Sequence, residues 1–229
     1  MFERVQAITF DLDDTLWPCH EVIVAAELAC YEWLSEAAPR LARCHSVTSL
    51  REHRIAFSRR RPDIAHDMTA VRLHALSEVL DAHGYPFDLA MQASDVFRAA
   101  RNRVTPYAEV EAVLRQLRQQ FTVISVTNGN SQIEHTPLRD SFDHSLTAAE
   151  VGAAKPDPAM FHAASERAGI GLDRFLHVGD DPVLDIGAAR ALGMPTVWVN
   201  RSSMQWPSAL TPADMQVTDI AELAGQLLR

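Results

Sequence analysis

Near the N-terminus, the stretch VQAITFD at 5–11 is almost uniformly apolar, with β-branched and aromatic members, the pattern of a strand buried on both faces. The period then changes to that of a helix. From Glu21 to Arg103, Ile23, Glu27, Cys30 and Leu34 share one helical face and Val24, Leu28 and Tyr31 another, before Pro39 stops the run. Leu73, Leu76 and Leu80 predict a helix ending at Gly84, a residue suited to a left-handed cap, and Leu89, Ala93, Val96, Phe97 and Ala100 predict one more. Residues 17–104 therefore read as an all-helical segment of four helices.

After Pro106 the elements alternate. The pattern predicts a helix over 107–119, strands at 121–127 and near 143–147, a helix over 158–168, a strand at 174–178, a helix over 182–192, a strand at 195–199 and a closing helix near 219–228. Asp157-Pro158 and Asp181-Pro182 each set a capping aspartate before a proline at the first helical position, and Gly169 and Gly193 end the two helices. Such alternation predicts an α/β fold, a parallel sheet covered by helices. Residues 1–16 and 105–229 would form a Rossmann-like core, interrupted by the helical segment 17–104.

Charge sharpens this division. The chain of 229 residues carries a formal charge of −9, which argues against a general nucleic-acid binder. Residues 17–104 hold 11 Arg against 11 acids, so the whole excess lies in the remainder. Arg51, Arg54, Arg59, Arg60 and Arg61 make a basic stretch that reads as a solvated helix face, with a contact to a substrate anion as the alternative. Of the 21 Lys and Arg residues, Lys155 is the sole lysine, a compact ammonium kept where a planar guanidinium would not serve. Three unpaired-looking cysteines (19, 30 and 44), no signal-like start and no long apolar run point to a cytoplasmic protein without a membrane segment.

Candidate chemistry gathers where the predicted strands end, the place at which open α/β sheets bind ligands. Asp11 and Asp13 follow the first strand, Thr127-Asn128-Gly129 the second, and Gly179-Asp180-Asp181 a third, while Lys155 sits in a loop before Pro156. The acids at 11, 13 and 14 do not fit a calcium loop: counting from Asp11, position six is Leu16 and position twelve Val22, where glycine and glutamate belong. They do fit phosphoryl transfer. A carboxylate meets strong repulsion from a phosphate dianion, so a cation such as Mg2+ is needed, with Asp11 and Asp180 as ligands. Asp185, one turn further on, would orient metal-bound water. Asp11 would be the nucleophile, Asp13 the acid and base for the leaving and attacking oxygens, and Asp14 scaffold. Thr127 and the backbone amides of Asn128 and Gly129 would hold phosphate oxygens, with Lys155 offsetting their charge. Asp181 reads first as a helix cap, and Trp17, Cys19 and His20 as lining of the entrance.

Four motifs in order, DLDDT at 11–15, TNG at 127–129, KP at 155–156 and GDDPVLD at 179–185, make the chain similar to the haloacid dehalogenase superfamily over nearly its whole length. The resemblance implies that the helical segment is a cap covering the site and shaping substrate choice. It also implies that the backbone carbonyl of Asp13 joins Asp11 and Asp180 around Mg2+, with Asp185 and Asp181 behind them. It points to the phosphatase branch: hydrolysis of a small phosphorylated metabolite, such as a flavin precursor, flavin mononucleotide or nucleotide, through an aspartyl-phosphate, by a monomer or homodimer. A mutase or phosphotransferase is the first alternative. Dehalogenases of the superfamily lack the second acid at the position of Asp13, and a silent regulatory module would lack a nucleophile, acid or metal ligand.

Overall fold

The computed structural model describes residues 2–228 and divides into two compact units. The first comprises 1–18, 105–129 and 133–229, and the second 19–104 with 130–132.

The first unit is built on a six-stranded sheet in the order β3-β2-β1-β4-β5-β6, every pair parallel. Its strands are β1 (Ala7–Phe10), β2 (Thr122–Thr127), β3 (His144–Thr147), β4 (Phe175–Gly179), β5 (Thr196–Val199) and β6 (Met215–Val217). The central strands β1 and β4 are buried at every position, as their largely apolar sequences favour, with Thr9 and His177 the polar exceptions. On one side, Met160, Phe161 and Ala164 of α8 (Ala159–Ala168) pack with Ile124, Val126, Leu146 and Phe175 of the sheet. This is the doubly wound α/β architecture that the alternating pattern predicts. The order doubles back beside β1, so the mouths of β2, β1 and β4 lie side by side.

The second unit contains α1 (Cys19–Ala37), the one-turn α2 (Pro39–Ala42), α3 (Val47–Arg60), α4 (Met68–Ala82) and α5 (Phe87–Arg101). Its core joins Ala26, Cys30 and Leu34 of α1 to Leu76 and Leu80 of α4 and Ala93 and Phe97 of α5. Gly84 takes the left-handed conformation that a stop after α4 requires (φ 71°).

The structure differs from the sequence reading at several places. Pro39 does not only end a helix; it opens α2, because proline is tolerated in a first turn that has no use for its N–H. Val24 and Leu28 face outwards, so α1 buries one stripe and not two. The helix expected over 107–119 is confined to α6 (Val110–Leu117), and before it the Tyr107 N–H donates to the Leu16 carbonyl (3.0 Å). A single helix over 182–192 becomes a π-helical turn, Pro182–Gly187, running into the short α9 (Ala188–Ala191). Two elements were not anticipated. The one-turn α7 (Ala148–Val151) is held by a capping box between Thr147 and Glu150, and β6 extends the sheet at its far edge. The chain closes with α10 (Ile220–Leu227), capped by Asp219.

Candidate active site

Three neighbouring strands deliver three acidic or hydroxyl positions to one place. Asp11 follows β1, and its N–H donates to the Val178 carbonyl of β4 (2.9 Å), so the sheet itself fixes where the carboxylate leaves. Thr127 ends β2, and Asp180 follows β4. Lys155 enters from the connection between α7 and α8. A cavity of about 180 Å³ is lined by Asp11, Asp13, Thr127, Asn128, Gly129, Lys155, Asp180, Asp181, Leu184 and Asp185. The residues given catalytic, phosphate-binding or metal-side roles from the sequence thus lie around one space.

Lys155 organises the site. Its Nζ donates to Asp11 Oδ1 and to Asp185 Oδ1, both at 2.6 Å, and it is almost fully buried. Burial opposes its charge, yet attraction to Asp11 and then Asp185 outweighs this and holds the ammonium firmly protonated. Asn128 clamps the lysine backbone from both sides: its Nδ2 donates to the Lys155 carbonyl (2.8 Å) and its Oδ1 accepts from the Lys155 N–H (2.6 Å). The peptide between Lys155 and Pro156 is cis. Asn128 therefore spends its side chain on placing the ammonium. Thr127 Oγ1 accepts from the Gly129 N–H (2.9 Å), which shapes the turn after β2.

Single carboxylate oxygens of Asp11, Asp180 and Asp185 all lie within 4.8 Å of one another. Such crowding is costly for three anions and suits a hard divalent cation, which takes oxygen ligands. The titration behaviour reports the same strain. Burial pushes Asp11 well above the usual carboxylate range, opposed by Lys155 and reinforced by Asp185 and Asp180. Burial, then Asp185, pushes Asp180 up to about 7. Asp185 goes the other way: burial works against its charge, but Lys155 and the hydrogen bond from His177 prevail and hold it ionised. An all-oxygen donor set with two carboxyl groups awaiting neutralisation fits Mg2+. Asp185, expected behind the ligands, has one carboxylate oxygen in this cluster, while Lys155, His177 and the Asp181 N–H hold its carboxylate.

Several contributors had not been singled out. Thr15 Oγ1 donates to Asp180 Oδ1 (2.9 Å), and the Trp198 indole donates to the Asp180 carbonyl (2.7 Å). His177 on β4 lies fully buried, with Nε2 3.3 Å from Asp185 Oδ1 and Nδ1 2.9 Å from Thr9 Oγ1. Burial, outweighing Asp185, lowers its pKa. The neutral ring with its proton on Nε2 satisfies both partners, donating to Asp185 and accepting from the Thr9 hydroxyl. Trp17 is a correction. It does not line an entrance but is fully buried, and its Nε1 donates to Asp13 Oδ1 (2.8 Å). The spacing held a clue to one of these: a donor, Trp17, follows four residues after Asp13. Asp181 caps the π-helical turn, accepting from the N–H groups of Val183 (2.7 Å) and Leu184 (2.8 Å), and stands outside the carboxylate cluster. Asp14 adopts a positive φ of 60°, the conformation of a turn residue, and its N–H donates to the Trp17 carbonyl (2.8 Å).

Comparison with known proteins places this geometry in a family. The 5-amino-6-(5-phospho-D-ribitylamino)uracil phosphatase YigB of Escherichia coli strain K12 is 31% identical over 96% of this chain and 95% of its own length. An (S)-2-haloacid dehalogenase of Pseudomonas sp. strain YL is 30% identical over 58% of this chain and 60% of its own. Among solved structures, a 2-haloacid dehalogenase from Pseudomonas syringae pv. Tomato superimposes with a TM-score of 0.91 at 35% identity, covering 98% of this chain and 99% of that one. Residues 5–193 match the haloacid dehalogenase-like hydrolase family, and the chain belongs to it.

Proposed function

We propose that this hydrolase is a Mg2+-dependent phosphomonoesterase that transfers the phosphoryl group of a small metabolite to Asp11 and then to water. The observation that carries this reading is the second acid, Asp13, on the same cavity as Asp11 with its carboxylate held by the Trp17 indole. A halide leaves carbon as a stable anion and needs no proton. An ester oxygen leaves as an alkoxide and does, so a positioned acid two residues after the nucleophile serves ester cleavage.

Asp11 would attack phosphorus, and Asp13 would protonate the departing oxygen. Asp13, now ionised, would take a proton from the water that hydrolyses the aspartyl-phosphate. Lys155 would lie against the transferring group, its charge already fixed by Asp11 and Asp185. The Thr127 hydroxyl and the Asn128 amide would bind phosphate oxygens, since the Gly129 amide already donates to Thr127 Oγ1. Asp11, Asp180 and the Asp13 backbone carbonyl would hold Mg2+, with Asp185 beside them, and the ion would supply charge neutralisation between nucleophile and phosphate. The helical unit would act as the cap that selects substrate. A phosphorylated ribityl-pyrimidine, the substrate class named for the Escherichia coli relative, is the first to try.

The experiment is phosphate release from p-nitrophenyl phosphate and a panel of phosphorylated metabolites, with and without Mg2+. Asp11→Asn is expected to remove turnover, by 10³-fold or about that, with an unchanged circular dichroism spectrum. Retained turnover would refute the nucleophile. The likeness to haloacid dehalogenases supports a second reading, tested in parallel by chloride release from 2-chloropropionate. Metal-independent chloride release without phosphatase activity would replace the first reading with the second.

A further inference from the structure

The helical unit holds a concentration of charge of its own. Glu27 on α1 is buried and accepts from Arg51 Nε (2.6 Å) and Arg54 Nη2 (3.4 Å), both on α3. Arg72 on α4 makes no hydrogen bond or ion pair with any described residue. Its guanidinium carbon lies 3.3 Å from the centroid of the Phe97 ring. The Nε atoms of Arg54 and Arg72 are both buried without an acceptor. Glu27, Arg51, Arg54 and Arg72 line a cavity of about 30 Å³ between α1, α3 and α4.

The charges there do not balance: three guanidinium groups face one carboxylate. Burial, then Arg54, lowers the Arg72 pKa to about 9, which leaves it charged at neutral pH. A half-buried cation that shares one carboxylate with two other arginines is costly, and the aromatic face of Phe97 repays only part. Water in the cavity would supply lone pairs but no charge. The space suits one or two water-sized species, too small for a phosphorylated metabolite. Part of the basic stretch that reads as a solvated face therefore turns inwards.

We infer that the cavity between α1, α3 and α4 is a binding site for a small inorganic monoanion of chloride size, held by the guanidinium groups of Arg54 and Arg72. Bound there, the ion would join α3 and α4, which otherwise repel through Arg54 and Arg72. Its occupancy would stabilise the helical unit without touching the carboxylate site.

Two measurements test this on the full chain. Crystals soaked in bromide are expected to show an anomalous peak against Arg54 and Arg72. In solution, replacing gluconate by chloride at constant ionic strength should raise the thermal midpoint by about 2–4 °C. Arg72→Met should abolish that rise, and Arg54→Gln should weaken it if the first variant fails to fold. The inference is overturned by the absence of the peak, or by a midpoint that follows ionic strength and not the identity of the anion. An equal rise in wild type and variants also overturns it, and a peak without a solution response would mean an adventitious ion only. Phosphatase activity enters none of these readouts, so the failure of one reading leaves the other standing.

Discussion

A carboxylate that gives a proton in one step and takes one in the next must be placed before its charge matters. Trp17 supplies part of that placement for Asp13, since an indole N–H donates only and cannot compete for the proton. In the proposed reaction, Trp17→Phe keeps the buried ring and deletes the donor. The expected result is a fall in kcat of about tenfold for alkyl phosphates, with KM little changed. The loss should be smaller for p-nitrophenyl phosphate, whose leaving group needs little protonation. An equal loss with both substrates would mean that Trp17 only supports the fold. At this scale the acids at 11, 13 and 180 were legible because they follow strands whose ends meet, and Asp185 by its place in GDDPVLD. Lys155 was legible because it stands alone among arginines. His177 was not, because one histidine inside an apolar strand carries no mark of its partners, Thr9 and Asp185, which lie 168 residues before it and 8 after it.

Between β4 and the π-helical turn after it, the backbone has to approach a side chain closely. A Cβ on Gly179 would sit 2.4 Å from both Cγ and Oδ2 of Asp185. That carboxylate cannot swing aside, because Lys155, His177 and the Asp181 N–H all hold it. Gly179→Ala is therefore expected to destabilise the fold by about 1–3 kcal/mol in chemical denaturation and to lower turnover by displacing Asp185. A variant with wild-type midpoint and turnover would show that the junction relaxes freely. The glycine was visible in GDDPVLD, but the reason for it needs a contact six residues along a turn of unusual pitch. That turn was read as ordinary helix because Asp181, Pro182 and the apolar spacing fit both. The bond from the Ile186 N–H to the Asp181 carbonyl (3.2 Å), five residues back, marks the difference. The strand β6 failed for a simpler reason: its three residues, Met215–Val217, are too few to show a period. By contrast, the Thr147-x-x-Glu150 spacing that starts α7 was available as a capping box.

At the scale of the whole molecule, a crowded carboxylate site makes stability depend on pH and on cations together. Asp180, raised to about 7, binds its proton more tightly folded than unfolded, so its folded form is favoured at low pH. That contribution is present below the ordinary carboxylate range near pH 4 and is lost as pH rises through about 7. Asp11 has the same sign. Asp185 has the opposite one: being held ionised, it contributes above pH 4 and is lost only in stronger acid, outside this window. A divalent cation that bridges the cluster needs the ionised carboxylates, so its binding releases protons at low pH and none at high pH. Mg2+ is accordingly expected to raise the thermal midpoint of the chelator-treated protein more at pH 8 than at pH 5.5. Asp180→Asn should weaken the rise and flatten its pH dependence. Calorimetric titration in buffers of different ionisation enthalpy would count the protons released. The same Mg2+ effect at both pH values, or no effect at either, would refute the carboxylate cluster as the cation site. Because the three acids come from β1, β4 and the turn after β4, the same measurement reports whether the mouth of the sheet is assembled around an ion.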